Sequence, residues 1–138
     1  MKKSIVIIGS AYPLRGGGIS TFNELLATKL QEAGHKVKII TFSLQYPSFL
    51  FPGKSQYATE PRAEHLTIEV LLNSINPISW YNVGKQVQLE APDLVIFRYW
   101  TPFIAPCLGT VGRLIHQNKK TKIVTIADNI IPHEKNIV

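Results

Sequence analysis

Apolar residues along the chain fall into short runs and helical stripes that alternate. Ile5-Val6-Ile7-Ile8 is a continuous β-branched run, the pattern of a strand covered on both faces, and such strands belong to parallel α/β sheets. A glycine-bearing loop follows from Gly9 to Gly18. The next stretch, Ile19 to Ala33, carries Phe22, Leu25, Leu26, Leu30 and Ala33 at helical spacing and predicts a helix, with Gly34 as its left-handed stop. Lys36 to Phe42 predicts a second strand, in which Lys36 and Lys38 alternate with Val37 and Ile39. From Ser43 to Glu64 the pattern dissolves into prolines, aromatics and scattered cations, a stretch long enough to be functional or disordered. It fits an acceptor-contacting or membrane-touching loop as well as a hydrophobic flap folded on the core. Leu66 to Leu71 predicts a short third strand, and Asn76-Pro77 opens a helix that runs to about Glu90, ahead of Pro92. Asp93 to Phe97 is a fourth apolar strand, about Phe103 to His116 a helix, and Lys122 to Ile126 a fifth strand. Gly109 and Gly112 are expected to let that last helix approach the sheet, and Cys107, His35 and His116 to be structural or exposed.

This alternation predicts an α/β fold, a Rossmann-like doubly wound parallel sheet with helices on both faces. In such sheets ligands bind beyond the carboxyl ends of the strands, where the next helix aims its free N–H groups. Three segments fall on that edge. Arg15, Gly16, Gly17 and Gly18 follow the first strand, and residues without Cβ let backbone amides approach an anion while Arg15 adds charge. Arg98, Tyr99, Trp100 and Thr101 follow the fourth. Asp128, Asn129, His133 and Glu134 follow the fifth, the densest chemical cluster in the chain. The alternative readings are that the glycines only turn a tight corner and that the last cluster caps a following helix. A dinucleotide fingerprint is disfavoured: Thr21 stands where its third glycine would fall, and the second strand ends Thr41-Phe42-Ser43 with no carboxylate for a ribose.

Composition narrows the partners. At 138 residues, 45% hydrophobic and 17% charged, the chain is expected to form one globular domain. A single cysteine excludes an internal disulfide, no metal-ligand spacing occurs, and a reducing, cytoplasmic setting is the default. No run approaches the ~20 apolar residues of a membrane span, and the first strand starts too near Met1 for a signal peptide. A net charge of +6 favours anionic partners: phosphorylated substrates, an anionic bilayer surface or nucleic acid. Nucleic acid is not expected, because the cations are scattered and no recognition motif is present.

With those residues in place, the chain from Ser4 to Lys135 resembles the N-terminal domain of retaining glycosyltransferases of family four, which have the two-domain GT-B fold. The resemblance rests on Pro13-Leu14-Arg15-Gly16-Gly17-Gly18-Ile19, Ala33-Gly34-His35-Lys36-Val37, Pro92-Asp93-Leu94-Val95 and Asn129-Ile130-Ile131-Pro132-His133-Glu134. It implies a glycine loop lying against the donor's diphosphate and the acceptor, and residues after strand five approaching the transferred sugar. It implies Asp128 in a catalytic position, where the family often has histidine, and Arg15, Gly16, Gly17, Gly18, Arg98, Tyr99, Trp100, Asn129, His133 and Glu134 as substrate-binding residues. No cofactor or metal is expected, the nucleotide sugar being a substrate. The implied acceptor is a glycan or lipid-linked molecule at the inner membrane face, with cell-surface polysaccharide synthesis as its setting and a cytoplasmic, peripheral location. The donor half of the fold would lie beyond Val138, so the chain alone is expected to be inactive and prone to self-association. Two other readings are a stand-alone binding module for a phosphorylated small molecule and a structural partner domain.

Overall fold

The computed structural model describes residues 2–11, 18–44, 65–99 and 102–127. They form a five-stranded, all-parallel sheet of β1 (Ser4–Ile8), β2 (Lys36–Leu44), β3 (Thr67–Asn73), β4 (Leu94–Tyr99) and β5 (Lys122–Ala127), in spatial order β3-β2-β1-β4-β5. The expected Rossmann-like architecture is therefore present. Helix α1 (Gly18–Glu32) joins β1 to β2, α2 (Pro77–Glu90) joins β3 to β4, and α3 (Ala105–His116), preceded by a 3-10 turn at Pro102–Ile104, joins β4 to β5.

The winding reverses between β1 and β4, and this places helices on both faces. Alternate strand residues then build two cores. Val6, Ile8, Ile40, Phe42, Val95 and Phe97 pack beneath α2 and α3, with Val83, Val87, Cys107 and Val111. Ile5, Ile7, Val37, Ile39, Ile68 and Ile96 face the other way, beneath Leu26, Ala27 and Leu30 of α1. Because both faces of β1 are covered, its sequence shows no alternation.

Local chemistry sets the element ends. Asn76 caps α2, its Oδ1 accepting from the Ile78 N–H at 3.0 Å with Pro77 at the first helical position. Ala91 closes α2 in the left-handed region at φ 47°, and Gly34 follows α1 at φ 101°. At the amino edge His35 Nδ1 accepts the Lys3 N–H at 3.1 Å, a structural role.

Two expectations need correction, those for the stripe of α1 and for Gly109, whereas Cys107 and His116 are structural and exposed as expected. In α1 the buried residues are Asn23 and Ala27, with Leu26 and Leu30 half-buried, whereas Phe22, Leu25 and Ala33 are exposed. The core stripe is thus rotated away from the one the apolar residues alone mark. Of the two glycines in α3, Gly112 does allow close approach, since a Cβ there would lie 3.0 Å from the Phe97 ring; Gly109 has nothing within 4 Å. Cys107 is fully buried, and His116 is exposed. Burial pushes the Cys107 thiol up to about 12, so it is a small core hydrophobe rather than a nucleophile.

Candidate functional site

The strand order puts the topological switch point between β1 and β4, so the crevice that open α/β sheets offer to ligands lies beyond Ile8 and Tyr99. There the chain gathers polar groups that the sheet does not need. Past β1, the Gly9 N–H donates to the Ile40 carbonyl at 3.1 Å, extending the ladder by one residue. The Ala11 N–H donates to Thr41 Oγ1 at 3.0 Å, and that hydroxyl donates back to the Ala11 carbonyl at 3.3 Å. From α1, Asn23 Nδ2 donates to the Ser10 carbonyl at 2.9 Å. The turn leaving β1 is thereby tied to β2 on one side and to α1 on the other.

Arg98 enters this cluster from β4. It is only 3% exposed, and its guanidinium carbon lies 4.5 Å from the centre of the Phe22 ring. Phe22 is half exposed, so its ring bridges solvent and the buried cation; such stacking contributes about 1 kcal/mol. Gly9 makes the arrangement possible, because a Cβ at that position would lie 2.8 Å from Arg98 Cβ and 3.0 Å from Asn23 Nδ2. Three elements therefore meet at one residue without a side chain. Asn23 is fully buried, and among the described residues its Oδ1 has no hydrogen-bond partner.

Arg98 thus places a fixed positive charge at this edge of the sheet. Tyr99 behaves differently from its neighbour. Its ring packs with the α2 and α3 core, so Arg98 and Tyr99 share the rim while their side chains leave on opposite faces of the sheet. Gly18 is the first residue of α1, which starts at the same edge. Of the expected site residues, Arg98, Tyr99 and Gly18 are thus placed, whereas Arg15, Gly16, Gly17, Trp100, Asp128, Asn129, His133 and Glu134 lie outside the described residues.

Gly9, Ser10, Asn23, Phe22 and Thr41 were not among the sequence candidates. Asn23 did leave a signal: it stands three and four residues before Leu26 and Ala27 and seven before Leu30, a polar residue on the buried stripe.

A depression of about 460 Å³ occupies the opposite, amino edge, with Lys38, Glu69 and Glu90 in its wall. Lys38 Nζ lies 3.1 Å from Glu69 and 2.9 Å from Glu90, and Gln86 donates to both carboxylates. Burial lowers the Lys38 pKa, but the hydrogen bonds and charges of Glu90 and Glu69 outweigh it and leave the ammonium above its ordinary value. The cation is neutralised locally, which makes this network a tether between β2, β3 and α2 rather than an anion site. Among the described residues no group of His, Cys, Asp or Glu could hold a metal ion.

No protein-family model matches the sequence, and no curated protein matches it. Among solved structures, the chain is similar to an alpha-glucosyltransferase in complex with UDP and a 13-mer DNA containing an HMU base. The TM-score is 0.50 at 14% identity, over 89% of this chain. The chain spans 30% of that enzyme's length, and the likeness is one of fold.

Proposed function

We propose that the chain is the acceptor-side part of a nucleotide-sugar-dependent glycosyltransferase of the GT-B type, which moves a hexose with retention to a glycan or lipid-linked acceptor. The observation that carries this reading is the polar cluster at the β1/β4 switch point, where Arg98 lies buried against Gly9 and Phe22 on a fold shared with a glucosyltransferase that binds UDP. In the reaction, the anomeric carbon exchanges its bond to the leaving nucleoside diphosphate for a bond to an acceptor hydroxyl oxygen, and the hydroxyl proton passes to the leaving phosphate. Negative charge grows on the diphosphate as its bond breaks. Fixed positive potential from Arg98, Arg15 and the start of α1 stabilises that charge, and Gly16, Gly17 and Gly18 let backbone amides approach it.

In this reading Asp128 lies near the transferred sugar, where a carboxylate stabilises positive charge developing at the anomeric carbon. Trp100, Asn129, His133 and Glu134 complete the acceptor side. The donor's nucleotide is held by a further domain, and no metal or cofactor takes part.

Screening the full-length protein against UDP-, GDP- and ADP-sugars, with release of the nucleoside diphosphate as readout, tests the reading. One donor class is expected to be turned over. Tight binding of a phosphorylated small molecule with no turnover of any nucleotide sugar would favour a binding module instead.

A further inference from the structure

The sequence scatters its lysines, but the topology gathers them. Lys2 and Lys3 precede β1, Lys36 opens β2, and Lys119, Lys120 and Lys122 lead into or open β5. Because the strands are parallel, all of these starts lie along one edge of the sheet, opposite the β1/β4 crevice. Side-chain alternation then sorts the cations by face. Val37 faces α1, so Lys36 and Lys38 fall on the α2 face, where Glu69 and Glu90 hold Lys38. Lys3 stands two residues before Ile5, and Lys122 is in register with Leu94, so both share the α1 face with those residues.

On that face the edge is concave, with a depression of about 480 Å³. Its floor is apolar, made by Ile5, Leu30 and Leu94. Lys3, Lys120 and Lys122 line it, each exposed, and none of the three forms an ion pair among the described residues. The carboxylate in the wall, Asp93, is engaged by the backbone, its Oδ2 accepting the Ser4 N–H at 2.8 Å. His35 adds a donor: its Nδ1 accepts the Lys3 N–H at 3.1 Å, so the neutral ring carries its proton on Nε2. Three ammonium groups therefore face one carboxylate over an apolar floor.

The backbone of this site is fixed. The Lys36 N–H donates to the Lys3 carbonyl at 2.9 Å, the Asp93 N–H to the Ser4 carbonyl at 2.9 Å and the Lys122 N–H to the Asp93 carbonyl at 3.1 Å. Asn118 Oδ1 accepts the N–H groups of Lys120 and Thr121 at 2.8 and 3.0 Å and so sets the turn that carries Lys120. Only the lysine side chains remain to be ordered by a ligand, which keeps the entropic cost of binding low.

The walls select a ligand with two parts. An inorganic anion would meet the ammonium groups and leave the floor in water, whereas an apolar molecule would cover the floor and gain nothing from the charge. The volume is that of a small-molecule site. We propose that this depression binds a small organic phosphate, a phosphoryl group carried on an apolar body of one or two rings. The phosphoryl oxygens meet Lys3, Lys120 and Lys122, and the body lies on Leu30 and Leu94. The site is separate from the transfer reading, since the five residues of β1, roughly 16 Å, lie between it and the crevice.

Calorimetric titration of the full-length protein at low salt with 1-naphthyl phosphate, inorganic phosphate and 1-naphthol is the test. 1-Naphthyl phosphate is expected to bind about tenfold or more tighter than either of its parts, and more weakly as salt rises. Lys3→Gln, Lys120→Gln and Lys122→Gln combined should weaken it about tenfold or more, while Arg113→Gln, the loss of an exposed cation on α3 at the other face, should leave it within about twofold. Absence of 1-naphthyl phosphate binding overturns the proposal. So does equal binding of inorganic phosphate or 1-naphthol, and so does binding that the combined lysine variant retains. Binding lost in Arg98→Met but kept in the lysine variant would place the anion in the β1/β4 crevice and overturn it as well. Turnover of a nucleotide sugar is read separately and bears on none of these outcomes.

Discussion

Gly9 is the residue on which the candidate site turns. It lets the Arg98 stem and the Asn23 amide lie against the backbone leaving β1, so a methyl group there has no free volume to enter. The nearest atoms belong to the base of the Arg98 side chain, Cβ and Cγ, which cannot swing aside as a flexible tip could. Gly9→Ala should therefore destabilise the chain by about 1–3 kcal/mol, through overpacking. Thermal unfolding of the purified variant checks this: a drop of several degrees is expected, and an unchanged Tm would contradict the close meeting of β1, β4 and α1. By contrast Gly34, at φ 101° with nothing within 4 Å, is a glycine for its backbone alone. The two look alike in the sequence, because the space around a residue is set by strands and helices far along the chain.

At the scale of elements, the strands were legible because burial on both faces erases alternation, and β1 and β4 display continuous apolar runs. The rotation of α1 was not legible. Phe22 and Leu25 are apolar yet exposed, and Asn23 is polar yet buried, because the cluster at the end of β1 recruits an amide and a ring from the first turns of the helix. Similarly, the alternation at Lys36 and Lys38 marked a partly exposed strand, but Lys38 points toward two carboxylates that arrive from β3 and α2. Lys38→Met should keep the packing of the stem and lose the tether. Glu69 and Glu90 are each more than a third exposed, so water screens the pairing, and a loss of no more than about 1 kcal/mol is expected. Since the folded state raises the Lys38 pKa, its contribution is present at neutral pH and disappears as pH rises through and above the ordinary lysine range. Urea midpoints of the two proteins at pH 7 and near pH 11 measure this, and they should differ at the lower pH and converge at the higher. A difference that persists at high pH would assign the effect to packing.

For the whole molecule, the order β3-β2-β1-β4-β5 decides where chemistry can happen, because only between β1 and β4 do the connections leave in opposite directions and open a crevice. The alternation of strands and helices in the sequence announced such an edge. It could not announce that Arg98 would be drawn onto the α1 face while Tyr99 joined the core beneath α3, since that depends on which neighbours cover each side of β4. In the function proposed above, the buried cation is what meets a leaving diphosphate, and that proposal stands or falls on it. The most direct measurement is turnover of the accepted nucleotide sugar by the full-length protein carrying Arg98→Met, beside Lys38→Met as a change of equal charge at the far edge of the sheet. Removal of Arg98 is expected to lower turnover by about 10²-fold or more while the Lys38 variant stays near the parent rate. A folded Arg98→Met protein that retains the parent rate would contradict a transfer site at the β1/β4 switch point.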